Sequence, residues 1–502
     1  MPSKKTSVEK RKAGTFRSRA KNLVSPKKGV NVMKSAAVKS KTQTHNRPTT
    51  IQSINPYTEE VMKKYPLMNI WEVNGQVGES RKAFAKWREV PVADRALSLK
   101  RLAEVLRTEK RRYAELITKE MGKPIKEALA EVEKCAVLSD YYAANAASFL
   151  RSEEIKTEAR KSYVMFQPLG IVLAVMPWNF PFWQAFRFGV PAVTAGNVVL
   201  LKHASNVPQT ALAIEDAFFR AGFPVNVFKT MLIDVQQTLK LIDDDLVDAV
   251  SLTGSTKAGE EIGAHAGRKI KKVVLELGGS DPYIVLDDAD VEKAGRMAVS
   301  ARMINTGQSC IAAKRFIVME SVAEEFTKHF MSRLNELKLG DPMDEATDIG
   351  TVARRDILDG LKEQLRDAKA KGARVLMAGQ TFTKGLFFTP CAVIETKPSM
   401  KVLTEEVFGP IAPIIVVKDE DEAIRVANDT EYGLGSSIWS RDISRAERLG
   451  ARIEAGTVTV NDMVKSDPRL PFGGVKKSGV GRELSHHGLM EFVNIKTVVV
   501  RE

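Results

Sequence analysis

A cysteine and a glutamate in this chain stand in local sequences where each could take part in acyl chemistry. Cys310 ends the run NTGQSC at residues 305–310, whose polar and flexible residues would let the thiol face a cleft. A thiol becomes a strong nucleophile only when its surroundings stabilise the thiolate. Glu276 lies in LELGG at residues 275–279, where an apolar strand gives way to glycines. A partly desolvated carboxyl has a raised pKa and suits a general base that acts on water.

A side-chain amide and a glycine-containing turn complete the group. Asn179 lies in PWNFP at residues 177–181, and its amide could donate a hydrogen bond to an oxyanion. The run TGSTKAG at residues 253–259 joins a strand to a helix, which presents free backbone N–H groups to a phosphate. Its spacing, G-x-x-x-x-G, is neither the usual dinucleotide fingerprint nor a P-loop. Together the four features predict cysteine-centred acyl chemistry with a nucleotide cofactor.

Each feature also has a purely structural explanation. A lone cysteine is usually a small buried hydrophobic residue, and we assign that role to Cys135 and Cys391. Asn179 could be a turn residue, and Glu276 could be a solvated carboxylate at the end of a strand. A thiol hydrolase built on Cys310 would need a histidine partner, but the sequence has no recognisable Cys–His signature.

Buried strands separated by helices must position these groups. Continuously apolar runs, typical of strands that are buried on both faces of a parallel sheet, occupy residues 170–175, 197–201, 249–252 and 273–275. Helical patterns separate the runs, so the sequence predicts a doubly wound parallel sheet. Such sheets bind their ligands at the carboxyl ends of the strands, which is where Asn179 and Glu276 would stand.

The predicted fold class is α/β with four segments. These are a disordered basic tail (1–50), a dinucleotide-binding domain (51–277), a second α/β domain that is catalytic (278–470) and a C-terminal segment (471–502). The C-terminal segment ends in an apolar strand without a later partner, and such an edge invites pairing with another subunit. Near the start of the body, Asp94 is predicted to cap a long helix that stops at Gly122.

The composition fits a globular protein of two or three domains. The chain has 502 residues, of which 44% are apolar and 27% are charged. Of its net charge of +14, residues 1–50 carry +13, from ten Lys, four Arg and one Glu. The body therefore gives no reason to expect a nucleic-acid partner. The tail itself could be a solvated disordered arm, a mitochondrial transit peptide or a nucleic-acid-binding arm.

The sequence also gives expectations about membranes, metals and compartment. No apolar run approaches the roughly 20 residues that cross a bilayer, and the six histidines have no metal-ligand spacing. Three scattered cysteines fit a reducing compartment. We therefore expect a cytoplasmic protein without membrane or metal, or a mitochondrial matrix protein if residues 1–50 are a transit peptide.

The order of these runs, followed by EEVFGP at residues 405–410, resembles the aldehyde dehydrogenase superfamily from about Ile54 to the end. The resemblance implies oxidation of a small-molecule aldehyde to a carboxylic acid through a cysteine thioester, with NADP or NAD as cofactor. Cys310 would be the nucleophile and Glu276 the base for the hydrolytic water. The Asn179 amide and the Cys310 backbone N–H would stabilise the oxyanion.

The resemblance also assigns residues to the cofactor, namely Trp178, Lys202, Ser205, Gly254, Ser255, Gly259, Glu406 and Phe408. Lys202 would reach the adenosine ribose, while Glu406 and Phe408 would hold the nicotinamide ribose. Many relatives have a Glu where this chain has Ser205. A Glu would repel a 2′-phosphate, whereas a serine can donate a hydrogen bond to one. NADP is therefore predicted to be used at least as well as NAD.

The terminal strand has a role implied by the same resemblance. It would belong to a small β oligomerisation element together with a hairpin near residues 162–168. A homodimer or homotetramer is therefore expected.

Four residues suggest an aldehyde with a distal carboxylate. If a helix begins just past Asn179, Trp183 and Arg187 share one of its faces. Ser466 and Arg469, in the loop before PFGG, add a hydroxyl and a second guanidinium. These features resemble the succinate-semialdehyde dehydrogenase branch of the family. Other aliphatic or aromatic aldehydes, a salt-bridge role for Arg187 and a non-catalytic protein remain alternatives.

Overall fold

A doubly wound sheet of six strands carries the first half of the body. In the computed structural model, which describes residues 49–379 and 385–502, its order is Gly479–Val480, Lys272–Glu276, Val247–Thr253, Ile171–Met176, Val198–His203 and Phe228–Thr230. All neighbours are parallel except the first pair. In chain order, the sheet begins with the central strand, Ile171–Met176. The next two strands are added on one side of it, and the later strands are added on the other side. The order therefore reverses beside the central strand, at a topological switch point.

The second sheet has seven strands. Its order is Arg374–Met377, Cys391–Ile394, Ile411–Val417, Arg315–Met319, Pro282–Val285, Gly435–Trp439 and Thr457–Val460. The neighbours are parallel except for the antiparallel edge strand Arg374–Met377. Each sheet has its own buried apolar cluster. The predicted α/β class, with a doubly wound sheet and a second α/β unit, is confirmed.

Helices connect the strands and cover the sheets. The described residues include the α-helices Ile70–Trp87, Val92–Thr108, Lys110–Met121, Ile125–Phe149, Pro181–Ala195, Pro208–Arg220, Val235–Asp243, Thr256–Arg268, Val291–Met303, Ala323–Asn335, Arg355–Ala370, Lys401–Thr404, Glu420–Asn428, Ile443–Gly450 and Ser485–Met490. Pro181–Ala195 shows how the sequence fixes its ends: a proline occupies the first turn, and Gly196 follows the last residue with φ of +101°. Among the described residues, no helix is long and apolar enough to span a membrane.

The helix predicted to begin with a cap at Asp94 is in fact two helices. Val92–Thr108 starts two residues earlier, so Asp94 lies in its first turn, where a carboxylate complements the helix dipole. Glu109, with φ −97° and ψ 12°, separates this helix from Lys110–Met121. The apolar periodicity continued across the break because both helices bury a face in the same core. Gly122 ends the second helix as predicted, with φ of +78°.

The C-terminal segment contributes strands to two different sheets. Gly479–Val480 pairs antiparallel with the end of Lys272–Glu276, and Gly479 lies opposite Glu276. The terminal strand Val493–Val500 pairs antiparallel with Lys161–Pro168, which also pairs with Glu153–Glu154. Within the described residues, the other edge of the terminal strand has no partner strand, so its place in an oligomer stays a prediction. The predicted basic tail lies outside the described residues, except for residues 49 and 50.

Gly122 offers a test of the fold. An alanine there would have to adopt φ of +78°, and its Cβ would lie 2.1 Å from Thr351 Oγ1. Because both strain and overlap result, Gly122→Ala should lower the free energy of unfolding by roughly 1–3 kcal/mol in urea denaturation. The control is Gly75→Ala, at a helical position with open space, which should raise it by about 0.5–1 kcal/mol. Equal effects of the two substitutions would contradict the assigned backbone geometry.

Candidate active site

The predicted chemical groups meet at the carboxyl edge of the six-stranded sheet. Asn179 follows the central strand Ile171–Met176, and Glu276 is the last residue of Lys272–Glu276. Residues 304–310 come from the second α/β unit and contact the same edge, because Asn179 Nδ2 donates to the Gln308 carbonyl at 3.1 Å. The parallel topology thus brings together side chains that are far apart in the sequence.

A hydrogen-bonded pair of loops fixes the surroundings of Asn179 and Cys310. Asn305 Nδ2 donates to the Asn179 carbonyl at 2.7 Å and to the Gln308 carbonyl at 3.1 Å. Asn305 and Thr306 both have left-handed backbone conformations, with φ of 52° and 57°. Non-glycine residues in this region cost roughly 1–3 kcal/mol each. The surrounding hydrogen bonds therefore hold the chain in a strained course just before Cys310.

Burial is the main influence on the pKa of the Cys310 thiol. It raises the pKa of Cys310 to about 11, while the charges of Arg187 and Lys314 oppose this increase. Lys314 Nζ donates to the carbonyls of Ser309 at 2.9 Å and Cys310 at 2.6 Å, so it also positions the loop. The thiol is therefore mainly protonated at neutral pH, and it must lose its proton before it can attack. Cys135 and Cys391 are fully buried, as the sequence suggested.

Glu276 is a buried carboxyl beside a guanidinium. Its pKa is raised well above the ordinary value, first by burial and further by Glu483, while Arg187 lowers it. Arg187 Nη2 lies 3.9 Å from Glu276 Oε2, and the Arg187 guanidinium forms an ion pair with Glu483. It also lies over the Phe472 ring, 4.5 Å from the centroid. A carboxyl with a raised pKa in a dry site can accept a proton near neutral pH.

Gly278 and Gly279, which follow shortly after Glu276, are each required by a different close contact. A Cβ on Gly278 would lie 2.7 Å from Glu406 Oε2, and a Cβ on Gly279 would lie 2.7 Å from the Cys310 carbonyl oxygen. The Gly279 N–H donates to Glu406 Oε1 at 3.1 Å. Glycine is therefore required where the strand end, the Cys310 loop and Glu406 approach each other.

The residues predicted to bind a cofactor lie along the same edge of the sheet. Trp178 and Phe408 contact each other edge to face, with ring centroids 5.7 Å apart. Lys202 and Ser205 lie at the end of the neighbouring strand Val198–His203, where Lys202 is half-buried and Ser205 is exposed. Trp178 thus follows the central strand at the switch point, and Lys202 and Ser205 follow the next strand on one side of it.

The glycine turn begins the helix Thr256–Arg268. Gly254 follows the strand, and Ser255 is the N-cap, whose hydroxyl accepts from the Ala258 N–H at 3.3 Å. Gly259 packs the helix against Leu277, because a Cβ there would lie 2.5 Å from a Leu277 methyl carbon. The remaining N–H groups of the first turn can bind an anion.

Two further observations test whether a dinucleotide fits these residues. Among the described residues, Lys202 has no carboxylate within 4.0 Å, and burial lowers its pKa. Both polar side-chain atoms of Asn206 are buried without a hydrogen-bond partner in the described part of the chain. An unpaired cation and an unpaired amide beside Ser205 fit an anionic ligand that carries hydroxyls. The donor set therefore suits a dinucleotide phosphate.

A cavity of about 440 Å³ opens beside Cys310. Trp183, Arg187 and Ser466, three of the predicted substrate residues, line it. Arg469 does not line it, because its guanidinium pairs with Asp467 at 2.7 Å and its side chain is 75% exposed. The structure therefore does not support the predicted contribution of Arg469, which needs a guanidinium that points into the cavity.

Sequence reasoning missed three charged residues of the site, namely Lys134, Lys314 and Glu483. Glu483 binds Arg187, Lys314 holds the Cys310 loop, and Lys134 lines the cavity. No local motif marks these residues, because each acts on a partner from another part of the fold. A buried arginine needs a carboxylate, so the requirement for a partner was predictable although its identity was not. No cluster of residues that could hold a metal ion occurs in the described ranges.

The chain belongs to the aldehyde dehydrogenase family, whose model matches residues 42–498. It is 47% identical over 449 residues to a probable NADP(+) succinate-semialdehyde dehydrogenase of Synechocystis sp., a match that covers 89% of this chain and 99% of the relative. It is also 44% identical to the succinate semialdehyde dehydrogenase, NAD(P)+, of Escherichia coli, with 89% and 97% of the two chains covered.

Solved structures share the fold. The succinic semialdehyde dehydrogenase of Streptococcus pyogenes, solved with NADP+ as cofactor, superposes with a TM-score of 0.88 at 36% identity, and the match covers 90% of this chain and all of that one. The structure of Gox0499, described for its cofactor and substrate selection, gives a TM-score of 0.88 at 38% identity, with 90% and 100% covered. The predicted family and its resemblance to succinate-semialdehyde dehydrogenases are confirmed.

Proposed function

We propose that this protein oxidises succinic semialdehyde to succinate with NADP, through a thioester on Cys310. The observation that carries the proposal is that Cys310, the Asn179 loop and the buried Glu276 carboxyl converge at the carboxyl edge of the six-stranded sheet, beside the cavity that Cys310 lines. The names of relatives that align over nearly their full length support the same aldehyde and cofactor.

In the first half-reaction, the Cys310 thiol loses its proton to solvent, the sulfur adds to the aldehyde carbon, and the carbonyl oxygen becomes an oxyanion. We assign the Asn179 amide and the Cys310 backbone N–H to that oxyanion, because donors at developing charge stabilise the transition state. Bound NADP supplies the acceptor for the hydride that leaves the same carbon. The oxyanion then collapses to a carbonyl, and the product is a thioester on Cys310.

In the second half-reaction, water hydrolyses the thioester. Glu276 takes a proton from the water, the oxygen attacks the thioester carbon, and the Cys310 sulfur leaves and is reprotonated. Succinate is released. The raised pKa of Glu276 makes its carboxylate a stronger base than an exposed glutamate. The charge of Arg187, whose Nη2 lies 3.9 Å from Glu276 Oε2, lowers that pKa and so favours the carboxylate form.

NADP is proposed as the preferred cofactor because of Lys202, Ser205 and Asn206. An exposed serine hydroxyl with an unpaired lysine nearby can bind a 2′-phosphate, and no carboxylate stands at that position to repel it. The glycine turn and the N-terminus of Thr256–Arg268 are assigned to the pyrophosphate, and Glu406 with Phe408 and Trp178 to the nicotinamide side.

The oligomeric state and the cellular compartment are also part of the proposal. The open edge of Val493–Val500 supports strand pairing between subunits of a homodimer or homotetramer. Three free cysteines support a reducing compartment, which we propose to be the cytoplasm.

An aldehyde panel tests the activity. The enzyme should form NADPH from succinic semialdehyde with a kcat/KM at least about tenfold above that for butanal or benzaldehyde, since a charge-assisted contact contributes roughly 1.5–3 kcal/mol. Cys310→Ala should lower turnover by about 10³-fold or more while NADP binding, followed by fluorescence, is retained. Turnover that survives in this variant would refute the nucleophile, and a preference for benzaldehyde would refute the substrate.

The Glu276→Gln variant separates the two half-reactions. It should release one equivalent of NADPH per site in a rapid burst, followed by slow turnover, because only hydrolysis of the thioester needs the base. In the natural enzyme the slow step should accelerate as the pH rises, since a raised pKa means that the carboxylate fraction grows with pH. Stopped-flow absorbance at 340 nm measures both phases. Equal slowing of the burst and of later turnover would contradict this role.

The Ser205→Glu variant tests the cofactor. Its carboxylate should raise KM for NADP by about tenfold or more through repulsion of the 2′-phosphate, and should change KM for NAD much less. Ser205→Ala, which removes the hydroxyl without adding charge, is the matched control and should show a smaller effect. A natural enzyme that clearly prefers NAD would overturn the NADP proposal.

A further inference from the structure

Lys314 places a buried ammonium group against the backbone of the Cys310 loop. Its side chain is only 1% exposed. Its Nζ donates to the carbonyls of Ser309 at 2.9 Å, Cys310 at 2.6 Å and Ala312 at 3.4 Å, and Glu406 Oε1 lies 3.5 Å from the same nitrogen. Hydrogen bonds from a charged donor are stronger than those from a neutral one. One side chain thus holds three carbonyls around the nucleophile.

Two of these carbonyls belong to the peptide groups on either side of Cys310. The peptide bonds of the described residues are trans, and a trans peptide is planar with its C=O and N–H pointing in opposite directions. The bond from Lys314 to the Ser309 carbonyl therefore turns the Cys310 N–H away from the ammonium. In the described part of the chain, that N–H has no hydrogen-bond acceptor. It is therefore free to donate to a ligand.

The ends of the Cys310 loop are held by a different side chain. Arg302 Nη1 donates to the Ala313 carbonyl at 3.0 Å, and Arg302 Nη2 donates to the Gly307 carbonyl at 3.4 Å. The course of the loop therefore does not depend on Lys314 alone. The orientation of the two peptide groups at its centre is what the Lys314 ammonium adds.

The charge of Lys314 also acts on the Cys310 thiol. Burial raises the pKa of this thiol to about 11, and the positive charges of Arg187 and Lys314 lower it. The carboxylates of Glu276 and Glu406 raise it. Removal of Lys314 would therefore reduce the thiolate fraction as well as release the peptide groups, so a test has to separate the two effects.

We infer that Lys314 is a positioning residue for the oxyanion: by holding the carbonyls on either side of Cys310, it directs the Cys310 N–H at the aldehyde oxygen. This inference rests on the proposed function and deepens it, because the Cys310 N–H is one of the two oxyanion donors assigned there. Lys314 is not among the described residues that line the cavity, so it acts through the peptide group. The other donor, Asn179, is oriented separately by its bond to the Gln308 carbonyl.

Two reactions of the same thiol test the inference. Alkylation by iodoacetamide forms an S–C bond, expels iodide and passes through no oxyanion, whereas attack on an aldehyde does. Both reactions need the thiolate, so the ratio of their rates at one pH, with NADP bound, is independent of the thiolate fraction. Cys135 and Cys391 are fully buried, so alkylation reports on Cys310.

The Lys314→Met variant keeps the apolar stem and removes the donors and the charge. It should lower the ratio of single-turnover NADPH formation to alkylation about 10–100-fold, since loss of one oxyanion donor costs about 10²–10³ in rate. NADP binding, followed by fluorescence, reports that the variant is folded. If Lys314→Met does not bind NADP, Lys314→Gln carries the same comparison. Lys314→Arg, which keeps charged donors, should recover part of the lost ratio.

An activated ester removes the cofactor from the comparison. p-Nitrophenyl acetate acylates a thiol through an oxyanion and expels p-nitrophenolate without NADP, so a change at Glu406 does not affect it. Its ratio to alkylation should fall by a similar factor in Lys314→Met. The matched control is Lys271→Met. Lys271 Nζ also donates to a backbone carbonyl, that of Asp244, but at the amino end of the strand Lys272–Glu276, and its loss should leave both ratios within about twofold.

The outcomes separate the inference from the proposed function. Equal slowing of alkylation and of both acylations in Lys314→Met, or no slowing of any, overturns the inference. A ratio that falls with the aldehyde but not with the ester also overturns it, because the effect then passes through Glu406. A natural enzyme that forms no NADPH from any aldehyde overturns the proposed function together with the inference. An active natural enzyme whose ratios persist in the variant overturns the role of Lys314 alone.

Discussion

The site depends on a single buried guanidinium that stands between two carboxyl groups. Arg187 is almost inaccessible and is paired with Glu483, while Glu276 lies 3.9 Å away on its other side. One positive charge cannot neutralise two carboxylates in a dry interior, so ionisation of the second is disfavoured. Burial is the main cause of the raised pKa of Glu276, and the Glu483 carboxyl raises it further, while Arg187 lowers it. A buried carboxyl of this kind, close enough to Cys310 for its charge to act on the thiol, has the properties of the base that we propose.

Burial also shifts the pKa values of the Cys310 thiol and of Lys134 in the cavity. Burial raises the pKa of Cys310 and lowers that of Lys134, so in both cases the neutral form is favoured. A charge in such a low-dielectric setting interacts with an approaching partner more strongly than it would in water. Groups poised in this way are suited to a site where charge develops on the substrate during the reaction.

The sequence predicted those parts of the fold and site that depend on local order. Continuous apolar runs marked the strands of the six-stranded sheet, and Gly122 marked a helix end, because each depends on adjacent residues. The break at Glu109 was missed since the apolar period continued through it. Lys134 was missed for a different reason. Among the described residues it has no carboxylate partner within 4.0 Å, and the sequence cannot show which cations of a cavity are already paired.

The helix Ile125–Phe149 links the substrate cavity to the Asn179 loop. Glu131 on this helix accepts from the backbone N–H groups of Phe182 and Trp183, at 2.9 and 3.0 Å, and thereby fixes the start of the helix that follows Asn179. Lys134 lies one turn further along the same rigid element. The position of Lys134 relative to the start of the helix that follows Asn179 is therefore set by one helix and two hydrogen bonds.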